Sequence, residues 1–197
     1  EGCETAKNYD EKIVQVVGQL ACVDHNILVA NTEGLLTTNR SIRSRMFINA
    51  IASDGNENQS GYDAPGSGSG LEFFEKVTPR SIGLKAAKQA MTNLGAVYCP
   101  AGKMMVAIEN GFGGVIFHEA CGHSLEATAV ATGRSEMAGK LGQRIACEKV
   151  TAIDDGTIPN GWGSVNVDDE GHPSQRNVLI EKGILKSYMI DRLGSRR

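Results

Sequence analysis

The segment His118-Glu119-Ala120-Cys121-Gly122-His123 places two imidazoles around a carboxylate that directly follows the first of them. Neutral histidines bind zinc, and a glutamate beside a ligand but off the metal can take the proton from a water activated there. That is the chemistry of a metal-dependent peptidase. In the common arrangement the histidines are four residues apart and share a helical face, because each residue turns an α-helix by about 100°. Here they are five apart, which leaves them roughly 140° out of phase on a regular helix. A π-bulge brings positions i and i+5 back together, and Gly122, directly before the second histidine, eases such a widening. Spacing by itself leaves two readings, an unusual metal pair or a chance juxtaposition.

Other polar residues near this segment carry weaker signals. Glu126, three residues after His123, either orients that histidine through a hydrogen bond or faces solvent. Cys121 and Cys147 read as packing residues, the first on the motif helix and the second in a strand-like run of the core. No resolving cysteine stands beside Cys121, so thiol redox chemistry has little support. His25 and His172 lie in or beside turns and read as solvated. The acidic turns Asp154-Asp155-Gly156 and Asp168-Asp169-Glu170-Gly171 lack the alternating oxygens of a calcium loop. They read as turn formers whose side chains satisfy backbone amides. The glycines before the motif, Asn110-Gly111-Phe112-Gly113-Gly114, have neither the Lys-Ser/Thr ending nor the spacing of a nucleotide cradle.

Composition sets the frame around these residues. With 197 residues, 41% hydrophobic and 22% charged, the chain reads as a globular protein of one or two domains. A net charge of −3 offers no basic footprint for nucleic acid. No apolar run approaches the roughly 20 residues needed to cross a bilayer, and the first residues lack signal-peptide anatomy. Five scattered cysteines argue against a disulfide framework and for a reducing compartment, the cytoplasm.

The elements that must position the motif follow from periodicity. Ile13, Val16, Val17 and Leu20 have helical spacing at the start. The chain ends at Ser195-Arg196-Arg197 without a closing element, so it reads as an excerpt of something longer. Within 23–54, Asn26–Ala30 and Arg45–Ala52 form a hairpin turning at Asn31-Thr32-Glu33-Gly34. Residues 55–70 read as a loop, most flexible at Gly66–Gly70. A helix runs from Pro79 to Leu94 with Ile82, Ala86, Ala90 and Leu94, or Ala87 and Met91, facing inward. Lys103–Ile108 reads as a strand, and 115–131 as the helix that carries the motif. Ile145–Ile153 and Ser164–Val167 are strand-like, and Val178–Ile180 with Ile184–Met189 make a hairpin about Glu181-Lys182-Gly183, so strands dominate the second half.

At this point a longer string of residues resembles a known family. His118–Glu126, Ala138-Gly139-Lys140-Leu141-Gly142, Asp154–Thr157, Gly163-Ser164-Val165, Asp168–Gly171 and Val178–Leu185 follow in the order found in the TldD/PmbA metallopeptidases, in the TldD branch. Asn31–Gly34 and Gln59-Ser60-Gly61 extend the likeness over nearly the whole chain. The five-residue gap is that family's own HExxxH spacing. The resemblance implies an α+β fold: an N-terminal α/β part whose C-terminal portion is residues 1–100, then the first, truncated part of a β-rich metallopeptidase domain, residues 101–197, carrying the HExxxH helix. It implies zinc on His118 and His123, with Glu119 as base and a third ligand from a downstream cysteine outside this chain. Taken alone, the chain should therefore bind zinc weakly or not at all and be inactive. Thr128 departs from the acidic residue that related sequences often carry there.

The expected function is zinc-dependent hydrolysis of peptide bonds in flexible or unfolded peptides, such as leader peptides, by a cytoplasmic heterodimer with a PmbA/TldE-like subunit that lacks the motif. Strand addition suits such capture, since main-chain hydrogen bonds give affinity with little sequence preference. The alternative is a non-catalytic regulatory subunit of the gyrase-modulator kind. Neither reading calls for membrane or direct nucleic-acid contact.

Overall fold

The computed structural model describes residues 1–196 and divides the chain into two compact units, 1–101 with 158–165, and 102–157 with 166 onward. The class is mixed α+β.

In the first unit, helix α1 (Gly2–Lys7) precedes two long antiparallel strands, β1 (Ile13–Ala30) and β2 (Leu36–Ser53), paired from Ile13↔Ala52 to Ala30↔Leu36. The helical spacing at 13–20 is thus overruled. Val14, Val16, Val17 and Val23 are β-branched and stiff at χ1, and β2 offers a partner along the whole length. Ile13 is buried, whereas Val17 and Leu20 are exposed. The turn lies where expected: Asn31 Oδ1 accepts from the Glu33 and Leu35 amides, and Gly34 takes φ +91°. His25 sits within β1 opposite Ser41 rather than beside a turn, and it is exposed.

The expected loop at 55–70 contains two further strands, β3 (Asn58–Asp63) and β4 (Gly66–Ser67), both paired with β2. Their composition hides them, because what makes β3 a strand is a helix laid against it. Helix α2 (Pro79–Leu94) starts at Thr78, whose side chain accepts from the Ser81 amide. It buries Ile82, Gly83, Ala86, Ala87 and Ala90 against Ala6, Ile13, Ile48, Ala50 and Ala52. Gln89 Oε1 accepts from the Tyr62 amide and Asn93 Nδ2 donates to Ser60 O, so α2 satisfies the open edge of β3. The Gly/Ser run 66–70 is held too: the Gly68 amide donates to Asn160 O at 3.0 Å, and Ser69 is buried.

In the second unit, β5 (Ala152–Asp155), β6 (Arg176–Glu181) and β7 (Ile184–Leu185) form an antiparallel sheet in that order. The β6–β7 turn is Lys182-Gly183 with φ of 47° and 81°, the two left-handed residues of a type I′ hairpin. Leu125, Ala152, Leu179, Ile180 and Leu185 make the core. Four expected strands are absent or shortened, among them Ile184–Met189, of which only Ile184–Leu185 pairs in the sheet while Met189 bridges Glu126. Residues 103–108 are unpaired with Met104, Met105, Val106 and Ile108 exposed, 145–151 join the sheet only by turn contacts and an Arg144↔Ile184 bridge, and 164–167 make one bridge, Val167↔Pro173. An apolar run becomes a strand only where a partner ladder is present to satisfy its amides. Cys147 is correspondingly exposed rather than in the core. No helix among the described residues is long and apolar enough to cross a membrane.

Candidate metal centre

The segment that carries the motif is not one helix over 115–131. It runs as a 3-10 turn (Gly111–Gly114), a short helix α3 (Val115–Phe117), a π turn (His118–Gly122), a second 3-10 turn (His123–Leu125), an extended residue Glu126, and helix α4 (Ala127–Ala131). Glu126 ends the first run because its backbone is pulled into a parallel bridge with Met189. The Met189 amide donates to Leu125 O and the Ala127 amide to Met189 O, both at 2.9 Å.

The widened turn falls on the motif itself. The His123 amide donates to His118 O, an i→i+5 bond that inserts one extra residue into the turn. The two imidazoles consequently meet, with ring centroids 4.5 Å apart and planes inclined by 74°. Gly122 has φ −55° and ψ −56°, ordinary helical values, and a Cβ added there would find no atom nearer than 3.9 Å. The π turn therefore does not depend on glycine's freedom, which corrects the role of hinge expected for Gly122.

One ligand atom from each of His118, Glu119 and His123 lies within 4.8 Å of the others, and all three side chains are exposed. Among the described residues this is the one set of three or more metal-ligating side chains so gathered. His123 Nε2 stands 3.9 Å from Glu119 Oε2, while its Nδ1 lies 2.7 Å from Glu126 Oε1. Of the two readings left open for Glu126, the hydrogen bond to the histidine is the one found. The donor set suits a zinc ion, which takes imidazole nitrogens at about 2.0–2.1 Å and so brings tetrahedral neighbours to roughly 3.3 Å.

Cys121 is not in the group. It is half-buried against Leu125 and its neighbours, and burial pushes its thiol above the ordinary range. The acidic turns do what turn formers do. Asp155 Oδ1 accepts from the Thr157 amide and hydroxyl, which hold its carboxyl below the usual range, with Arg176 adding a smaller pull. Asp168 Oδ1 accepts from the Glu170 and His172 amides, and His172 is exposed. The Thr128 carbonyl accepts from Thr132 Oγ1, a local bond on α4. The feature the residue pattern could not reveal is Met189, which has no chemistry of its own and acts through its backbone.

Known proteins resemble this chain along nearly its whole length. Residues 1–94 match the PmbA/TldA metallopeptidase central domain, and residues 101–197 its C-terminal domain. A metalloprotease TldD homolog of Haemophilus influenzae is 36% identical over 98% of the chain, which covers 41% of that protein. A metalloprotease of Methanothermobacter thermautotrophicus is 38% identical over 82% of the chain and is covered to 36%. The chain thus spans less than half the length of these relatives. Among solved structures, a proposed modulator of a DNA gyrase from Thermotoga maritima superimposes with a TM-score of 0.86 at 28% identity, over 99% of this chain and 44% of that one. TldE from Thermococcus kodakarensis shares the fold, with a TM-score of 0.75 at 20% identity over 99% of this chain and 43% of that one. Two domain matches end to end, and a motif segment whose histidines converge through a π turn, place this chain in the TldD/PmbA metallopeptidase family.

Proposed function

We propose that the protein to which this chain belongs is a zinc metallopeptidase of the TldD branch that hydrolyses flexible or unfolded peptides. The observation that carries the reading is the gathering of His118, Glu119 and His123 within 4.8 Å. His118 and His123 hold the metal, and a cysteine beyond this chain supplies the third ligand that the resemblance implies. A zinc ion so held supplies Lewis acidity toward a peptide carbonyl and acidifies water. Glu119 accepts the proton of the attacking water at a carboxylate oxygen and returns it to the departing amine.

The partner is a PmbA/TldE-like subunit without the motif, and the compartment is the cytoplasm, a placement supported by five free thiols. The gyrase-modulator description attached to the Thermotoga protein suggests the alternative, a regulatory subunit without catalysis. The intact His-Glu-His group favours the peptidase. A peptidase assay of the full-length protein on unfolded peptides, with and without the partner, decides the matter. Turnover that needs zinc and is abolished by Glu119→Gln supports the reading. Intact peptides, with wild type and Glu119→Gln alike, overturn it.

A further inference from the structure

We propose that Glu126 is a positioning residue for His123, holding Nδ1 so that Nε2 is the atom presented to the metal. The proposal rests on the metal-site reading above and adds a residue to it. Glu126 Oε1 lies 2.7 Å from Nδ1. An ionised carboxylate only accepts hydrogen bonds, so Nδ1 carries the hydrogen and the free lone pair falls on Nε2. That is the nitrogen that stands 3.9 Å from Glu119 Oε2, on the side where the motif's ligand atoms converge.

The backbone is arranged for this contact. After the 3-10 turn at His123–Leu125, Glu126 adopts φ −71° and ψ 133°, which swings its side chain off the helical path. Two bonds with Met189 hold it there, and the preceding Leu125 is fully buried, anchoring the turn from below. Glu126 is also the residue that opens α4, its carbonyl accepting from the Ala129 and Val130 amides at 3.1 Å. An acidic side chain at that position ordinarily turns forward to accept an amide of the helix it opens. Here no such bond forms, and the carboxylate turns back onto the imidazole. With His123 and Glu126 side chains 54% and 49% exposed, the pair adds little to folding stability. Its consequence is the tautomer and orientation of the ring, the task that carboxylates bonded to metal-binding histidines perform.

The test uses full-length protein, zinc and cobalt(II) as probes, and the variants Glu126→Ala and Glu126→Gln, with His123→Ala as the control for loss of a ligand. Zinc affinity by chelator competition should fall about 10–100-fold in Glu126→Ala, and the cobalt absorption spectrum should shift. Glu126→Gln, which keeps an acceptor oxygen, should restore most of the affinity. Nitrogen-15 shifts of the metal-free protein should report hydrogen on Nδ1 of His123 in wild type and Glu126→Gln, and a mixture of tautomers in Glu126→Ala. Wild-type affinity, spectrum and tautomer in a folded Glu126→Ala protein overturn the positioning role while leaving the metal site standing. A wild type that takes up no zinc overturns the site and the positioning role together.

Discussion

His118 and His123 face each other across 4.5 Å between ring centroids although five positions separate them. One hydrogen bond, from the His123 amide to His118 O, makes the relation. In a regular helix the same two side chains point roughly 140° apart. The π turn converts a spacing that would hold the two imidazoles apart into one that brings them together, with Glu119 within 4.8 Å of both.

Removing either imidazole should abolish stoichiometric zinc in the full-length protein, read by metal analysis after dialysis. Glu119→Gln should keep the metal and lower turnover on unfolded peptides about 10²–10⁴-fold, the range for loss of a general base. A chelator such as 1,10-phenanthroline should stop turnover in wild type, and added zinc should restore it. Full zinc content in His118→Ala would place the metal elsewhere.

Two glycines of this unit should respond in opposite ways to alanine. Gly122 has helical dihedrals and room for a Cβ, so Gly122→Ala should leave zinc affinity unchanged and stabilise the fold by about 0.4–1 kcal/mol. Gly183 has φ +81° and its added Cβ would lie 2.2 Å from Ala146 O, so Gly183→Ala should destabilise by more than about 1 kcal/mol. Denaturant midpoints of the two variants give the comparison. Loss of metal binding in Gly122→Ala would restore the hinge role.

Gly61 lets α2 lie directly on β3, since a Cβ there would stand 2.2 Å from Ala90 N and 2.5 Å from Ala86 O. Both obstacles are helix backbone and cannot yield as a side chain would. Gly61→Ala should cost about 1–3 kcal/mol or more by overpacking. A thermal melt no different from wild type would show that α2 can slide aside.

Acid should weaken the second unit partly through Asp155. Its carboxyl lies below the usual range chiefly because the Thr157 hydroxyl and then the Thr157 amide donate to it. Because the folded value is the lower one, the contribution is complete above the unfolded value of about 3.9 and is lost as pH falls through the folded value. Asp155→Asn should lower the midpoint at neutral pH and flatten its decline below about pH 4. An acid limb as steep as wild type in Asp155→Asn would assign the effect to other carboxylates.

Cys121 should be slow to alkylate at neutral pH, because burial raises its thiol and leaves little thiolate. Exposed Cys22, Cys99 and Cys147 should react first in peptide-mapped labelling, with Cys121 catching up only as pH rises past the ordinary cysteine range. Rapid labelling of Cys121 near pH 7 would instead support the thiol redox chemistry that the isolated cysteine argues against.

Much of the frame was legible in the residues. Pro79 after Thr78 and the buried apolar residues Ile82, Ala86 and Ala90 specify α2 locally, and Lys182-Gly183 specifies the β6–β7 turn, because caps and left-handed turn positions are short-range requirements. Asn31 and Gly34 mark the end of the first hairpin for the same reason. The chemistry of the motif was likewise written in its residue types, together with the need for a widened turn.

Tertiary structure decided the rest. Residues 13–20 carry helical spacing yet form a strand, because β2 supplies a ladder along their full length. Residues 103–108 look like a strand and remain unpaired, since no partner ladder meets them. The polar stretch at 58–63 becomes β3 only because α2 covers it and takes up its open edge. Glu126 reaches His123 because Met189, 63 positions later, captures the backbone on either side of it. Pairing and backbone capture between distant segments satisfy amides that no local pattern announces, and at Glu126 that capture sets the carboxylate against His123, whereas the turn that joins His118 to His123 is local.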